Sequence, residues 1–186
     1  MQKLNAAVFL DRDGTLIVDR GYLDNTQEIE LLPGVGPALA RIQATGLMLV
    51  VVTNQSGIGR GYFPRSMVRE QHRVLSGKLR EFGVTLDAVA VCPHHPQENC
   101  DCRKPRPGML VRTAQTNGID LASSYMIGDK SSDIEAGRAA GCRTVLLQSG
   151  QVSAAADFVV RDWPHAADAI INDCRQRRQE QTSATH

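Results

Sequence analysis

The chain predicts an α/β fold, a three-layer, doubly wound, Rossmann-like parallel sheet. Two observations carry this. Short apolar runs at residues 8–10, 47–52, 89–91 and 125–127 each end directly in a polar cluster. Near-continuous runs of this length suit strands covered on both faces, as in a parallel sheet. Segments with helical spacing lie between them and give a βαβ alternation. Right-handed crossovers then bring the C-terminal strand ends to one edge, where open α/β sheets bind ligands. Asp11, Asp13, Thr53, Lys104 and Asp129 are therefore expected to converge, although they span most of the chain.

The run from Ala6 to Leu10 makes the first strand and delivers Asp11-x-Asp13 to its end. Residues 16–33 contain Gly21, Asp24, Asn25 and Pro33 and read as a flap or hairpin rather than a helix. A helix over residues 34–45 stops at Gly46. Pro64 suits a helix N1 position, and Val68, His72, Leu75, Leu79 and Phe82 follow at helical spacing until Gly83. A further helix fills residues 108–117 and stops at Gly118. Ser132-x-x-Glu135 reads as a capping box opening a helix to Ala140, with Gly141 past its end. Residues 144–147 and 158–160 complete the strands. The polar, basic tail over about 176–186 is expected to fray. At 186 residues the chain reads as one domain with a real core, without the length for a large cap domain over the catalytic edge.

Composition narrows the function. A net charge of +1 offers no electrostatic case for nucleic acid or membrane partners. No segment approaches the ~18 apolar residues of a membrane span, and the run before Asp11 is too short for a signal peptide. Five cysteines, odd in number and clustered, argue against a secreted disulfide framework. The expectation is a cytoplasmic monomer acting on a small molecule.

Asp11 and Asp13, spaced i, i+2 on an extended chain, point to the same side. Two like charges so placed are unfavourable unless a cation or a shared proton relieves them. The pair suggests a Mg²⁺ site in which one Asp is a nucleophile and the other a general acid/base. A plain Asp-rich turn is the alternative. Likewise Thr53-Asn54 and Gly128-Asp129-Lys130 could be simple turns, Gly57-x-Gly59-x-Gly61 a ligand-free loop, and Arg103 and Lys104 solvated charges. Their joint occurrence, each after a strand, favours one site.

Cys92-x-His94 and Cys100-x-Cys102 supply three thiols and an imidazole, a set suited to tetrahedral Zn²⁺. Four protein ligands leave no open position, so the expected role is structural. The alternative is a Cys100/Cys102 redox pair, which would need neither His94 nor Cys92. The zinc loop, about residues 92–104, leads into Arg103-Lys104 and would hold those cations at the catalytic edge. His95 has no spacing partner and reads as packed or exposed; Cys142 and Cys174 read as small core residues.

Asp11-x-Asp13-Gly14-Thr15, Thr53-Asn54, Lys104-Pro105 and Gly128-Asp129-Lys130-x-x-Asp133, in this order, resemble the four motifs of the haloacid dehalogenase (HAD) phosphatase superfamily. The zinc loop with His94-His95-Pro96, the flap segment Asp19-Arg20-Gly21-Tyr22 and the stretch Gln55-Ser56-Gly57-Ile58-Gly59-Arg60-Gly61 are similar to its heptose 1,7-bisphosphate 7-phosphatase branch.

The resemblance implies that Asp11 is the nucleophile, forming an aspartyl-phosphate, and Asp13 the general acid/base. It implies Mg²⁺ on Asp11, Asp129 and the backbone carbonyl of Asp13. Thr53, the amide of Asn54 and Lys104 are then expected to stabilise the phosphoryl oxygens. Asp19, Arg20, Gly21, Tyr22, Gln55, Ser56, Arg103 and Lys130 are expected to contact the sugar and its second phosphate. Asp133 is left either as a supporting acid or as a favourable charge in the first turn of a helix. The implied reaction is removal of the C7 phosphate in heptose assembly for the lipopolysaccharide core. A histidinol-phosphatase is the runner-up, and a non-catalytic zinc-binding module a third class, disfavoured by three converging acids.

Overall fold

The computed structural model describes residues 5–148 and 155–183, with side chains described up to Glu180. Among these residues six strands form one sheet: β1 (Ala7–Leu10), β2 (Met48–Asn54), β3 (Ala88–Cys92), β4 (Tyr125–Gly128), β5 (Arg143–Leu147) and β6 (Phe158–Val160). All neighbours pair in parallel, in the order β3-β2-β1-β4-β5-β6. The chain starts at the centre, winds outward to β3, and returns to β4 on the other side of β1. The β1/β4 boundary is thus the switch point at which doubly wound sheets open a crevice, and Asp11 and Asp129 follow its two strands.

Among the described residues six α-helices accompany the sheet: α1 (Val35–Gln43), α2 (Ser56–Gly59), α3 (Arg65–Arg80), α4 (Gly108–Asn117), α5 (Ser131–Ala140) and α6 (Trp163–Ser183). Alternation along the strands sorts the core into two layers. Val8, Leu10, Leu49, Val51 and Ile127 pack with α1, α3 and α6. Ala7, Phe9, Val50, Val52 and Met126 face the other way, onto α4 and α5. The three-layer expectation holds.

Residues 16–32 form the expected hairpin. Val18 N–H donates to the Glu30 carbonyl at 3.0 Å and Leu32 N–H to Leu16 at 3.0 Å. Leu16, Ile17, Leu23 and Ile29 are buried, so the flap is pinned to the body. Trp163 on α6 anchors its base, its indole N–H donating to the Thr15 carbonyl at 2.8 Å.

Four local expectations change. Pro64 is the N-cap of α3 rather than its first residue, and Phe82 lies past the helix end, 44% exposed. The short helix α2 was not anticipated; its two glycines hide it from propensity arguments. Helix α5 begins two residues earlier than the Ser132/Glu135 box would allow. Lys130 is its N-cap, and the Asp133 carboxylate accepts the Lys130 N–H at 3.1 Å; Asp133 is buried where Glu135 is exposed. The tail expected to fray continues α6 through Ser183, and residues 184–186 lie outside the described residues. Among the described residues no helix is long and apolar enough to cross a membrane.

Candidate active site

A cleft of about 470 Å³ opens at the C-terminal strand edge. Asp11, Asp13, Asp19, Gly21, Tyr22, Thr53, Asn54, Gln55, Ser56, Arg103, Lys104 and Lys130 line it, so most of the expected residues are brought together. Gly57, Ser132 and Asp133 join them. Arg20 does not line it. Its side chain pairs instead with Glu30 at 3.2 Å on the exposed hairpin.

Asp11 follows β1, its N–H held by the Ile127 carbonyl of β4 at 3.0 Å. It is 6% exposed. Lys104 Nζ sits 2.5 Å from Asp11 Oδ1, 2.7 Å from Asp133 Oδ1 and 2.9 Å from the Val52 carbonyl. Burial pushes the Asp11 carboxyl up to about 7; Lys104 opposes the rise and Asp133 reinforces it. Burial alone would lower the Lys104 pKa, but the two carboxylates outweigh it and raise it. Burial also raises the Asp129 carboxyl, against the pull of Lys130.

Carboxylate oxygens of Asp11, Asp129 and Asp133 lie within 4.8 Å of one another. Three neighbouring acids, two of them paired with the Lys104 ammonium, leave an excess of negative charge, which fits a bound divalent cation. Thr15 steadies Asp129 by a hydroxyl bond of 3.1 Å. Gly14 makes room for it: a Cβ there would lie 2.4 Å from Asp129 Oδ2.

Asp13 faces the other wall. Its oxygens accept from Gln55 Nε2 at 2.7 Å, Thr53 Oγ1 at 3.4 Å and the Arg12 guanidinium at 2.9–3.1 Å. Thr53 thus supports a carboxylate as well as lining the cleft. The Asn54 side chain is spent on the Lys104 backbone, donating to its carbonyl and accepting from its N–H, both at 3.1 Å. It straps the Lys104 loop to β2.

Asp133 unites its two sequence readings, capping α5 and pairing with Lys104 at 1% exposure. The signal for it is Gly128, where a Cβ would lie 2.3 Å from Asp133 Oδ2. Lys130 reaches across the cleft to Asp19 at 3.0 Å. Burial would raise the Asp19 carboxyl, but the Gly21 N–H and Lys130 hold it below its ordinary value. Arg103 leaves a buried guanidinium nitrogen, Nη1, without a partner.

The metal loop closes on itself as its spacing predicts. Cys92 Sγ lies 3.7 Å from His94 Nδ1 and 3.6 Å from Cys100 Sγ; Cys102 Sγ lies 3.2 Å from His94 Nδ1 and 3.5 Å from Cys100 Sγ. Zn–S bonds of about 2.3 Å in a tetrahedron imply ligand–ligand edges of about 3.8 Å. All four donors fit, and no disulfide joins the cysteines. His95 caps a short 3-10 turn, accepting from Gln97 N–H at 3.2 Å. Cys142 and Cys174 are buried core residues, as expected.

A HAD-hydrolase-like family model matches residues 101–176. The chain is 45% identical over 174 residues to D-glycero-beta-D-manno-heptose-1,7-bisphosphate 7-phosphatase of Haemophilus ducreyi, covering 89% of this chain and 92% of that protein. It is 41% identical over 180 residues to the Escherichia coli K12 protein of that name, covering 92% and 91%. The crystal structure of D,D-heptose 1,7-bisphosphate phosphatase from B. bronchiseptica, complexed with magnesium and phosphate, superposes with a TM-score of 0.82 at 31% identity, covering 91% of this chain and 99% of that one. The chain belongs to the D-glycero-β-D-manno-heptose-1,7-bisphosphate 7-phosphatase family of HAD-like hydrolases.

Proposed function

We propose that this chain hydrolyses the C7 phosphate of D-glycero-β-D-manno-heptose 1,7-bisphosphate, leaving heptose 1-phosphate for the lipopolysaccharide core precursor. The observation that carries the reading is the buried Asp11–Lys104–Asp133 triad beneath a cleft bordered by further cations. A nucleophilic carboxylate needs an anion's charge offset nearby, and Lys104 supplies it without leaving the protein.

Asp11 attacks phosphorus while the bond to the sugar oxygen breaks, giving an aspartyl-phosphate. Asp13 gives its proton to the departing oxygen. It then takes a proton from water as that water attacks phosphorus, which returns the Asp11 carboxylate and frees phosphate. Lys104, Thr53 and backbone amides near Asn54 face the phosphoryl oxygens, where charge concentrates. Asp11, Asp129 and the Asp13 carbonyl would hold Mg²⁺, with Asp133 steering Lys104 beside them. When bound, that ion offsets phosphate charge and orients the group for in-line attack.

Cys92, His94, Cys100 and Cys102 would hold Zn²⁺, which would stiffen the loop that presents Arg103 and Lys104. The unpartnered Arg103 nitrogen and Lys130 suit the distant C1 phosphate, while Asp19, Gly21, Tyr22, Gln55 and Ser56 border the sugar. Three thiols gathered for a metal suit a reducing cytoplasm, where we place the chain as a monomer.

Phosphorus NMR of the product tests the substrate, and Asp11→Asn tests the mechanism. The expected product is heptose 1-phosphate alone, with turnover essentially abolished in a folded Asp11→Asn protein. Release of the C1 phosphate, or faster cleavage of histidinol phosphate, would overturn the assignment.

A further inference from the structure

Asp13 is gripped from behind by residues that the mechanism above does not use. Arg12 is 2% exposed, a nearly complete burial for an arginine, and it does not line the cleft. Its Nε lies 3.0 and 3.1 Å from the two Asp13 oxygens, and its Nη2 lies 2.9 Å from Oδ1. The opposite guanidinium nitrogen, Nη1, donates to Gln71 Oε1 at 2.7 Å. Gln71, 1% exposed on α3, donates in turn from Nε2 to the Leu23 carbonyl of the flap at 2.5 Å. A continuous buried chain therefore runs from flap to α3 to Arg12 to Asp13.

Each link is directional. The guanidinium is a rigid planar fork, so contacts to both carboxylate oxygens set the plane of that group as well as its position. Gln71 uses its acceptor on Arg12 and its donor on Leu23, so turning the amide over would break both bonds. Gln71 also prevents a buried guanidinium N–H from going unpaired. On the cleft side Gln55 and Thr53 complete the grip, leaving the carboxylate little rotational freedom.

We infer that Arg12 and Gln71 are positioning residues for Asp13. They aim its carboxylate at the leaving oxygen and tie that aim to the seating of the flap at Leu23. The inference rests on the reading of Asp13 as general acid/base. Neither residue touches substrate; both act through Asp13.

Leaving-group dependence separates this role from mere stabilisation. The ratio kcat/KM covers events up to aspartyl-phosphate formation. A sugar alkoxide needs a proton to depart, whereas 4-nitrophenolate leaves without one. Gln71→Leu should lower kcat/KM for the heptose bisphosphate by about 10–100-fold, and for 4-nitrophenyl phosphate by under about 3-fold. Arg12→Lys, which keeps the charge but loses the fork, should give the same selective loss. Adding Gln71→Leu to Asp13→Asn should cost nothing further, since the clamp would then have nothing to aim. Gln71→Met serves should the leucine variant fail to fold. Equal losses on both substrates, or no loss on the sugar, would overturn the clamp. An Asp13→Asn protein with no leaving-group preference would instead remove the reading of Asp13 on which the clamp depends.

Discussion

Lys104 Nζ rests 2.5 Å from Asp11 Oδ1 although 93 residues separate the two. The ammonium is buried, and Asp133 holds its other side at 2.7 Å. Lys104→Met would leave two buried carboxylates facing each other with no cation between them. Removing one partner of a buried pair costs about 3–5 kcal/mol. Denaturant unfolding without divalent metal should show a loss of that size, and turnover should fall to background. A stability within 1 kcal/mol of the parent would show that the pair is not buried in solution, about the value of an exposed bridge.

Gly14 turns at φ +84°, and a Cβ there would collide with Asp129 Oδ2 at 2.4 Å. Gly14→Ala therefore combines backbone strain of about 1–3 kcal/mol with displacement of an acid proposed to hold the metal. The expected result is a large rise in the Mg²⁺ concentration giving half-maximal activity. Titration of activity with Mg²⁺ measures it.

Zinc should survive mild chelation that strips Mg²⁺ and halts turnover reversibly, since closed sites of this type bind with about 10–16 kcal/mol at neutral pH. Elemental analysis of chelator-washed protein should find close to one zinc per chain. Cys100→Ser should lower the melting temperature and raise KM, because Arg103 and Lys104 follow directly on the ligands. The α2 loop depends on the same clip: a Cβ at Gly59 would lie 2.5 Å from His95 N.

His72 offers a pH signature away from the metals. Burial, helped by the nearby Arg12 charge, lowers its pKa to about 4. The unfolded chain protonates this histidine near 6.5, so the unfolded state binds the extra proton between those values. Stability should therefore fall as pH drops from about 6.5 to about 4, by roughly 3 kcal/mol from this residue. His72→Met should flatten that part of the curve. Unfolding free energies of both proteins across the window give the difference directly.

Arg103 touches the question of which end of the substrate is read. Its unpartnered nitrogen suits a phosphate, for which a guanidinium offers two fixed donors. Arg103→Ala should narrow the preference for heptose 1,7-bisphosphate over heptose 7-phosphate by about 1–3 kcal/mol. Steady-state kinetics on the two substrates provides the comparison.

Strands, most helices and the metal loop were legible from the sequence because each depends on local pattern. Apolar runs ending in acids identify β1 and β4, glycines at 46, 118 and 141 mark helix ends, and the four donors Cys92, His94, Cys100 and Cys102 lie within eleven residues. The order of motifs was enough to gather Asp11, Asp13, Thr53, Lys104 and Asp129 at one edge, since parallel winding leaves few alternatives. Only the tertiary structure decided what each side chain there does. Asp133 became the second partner of Lys104, Asn54 turned onto the Lys104 backbone, Arg20 turned outward to Glu30, and Arg12 and Gln71 closed behind Asp13. These outcomes depend on side-chain direction and on contacts between segments 10 to 59 residues apart. Periodicity and spacing carry no such information; burial and the pairing of buried polar groups settle it.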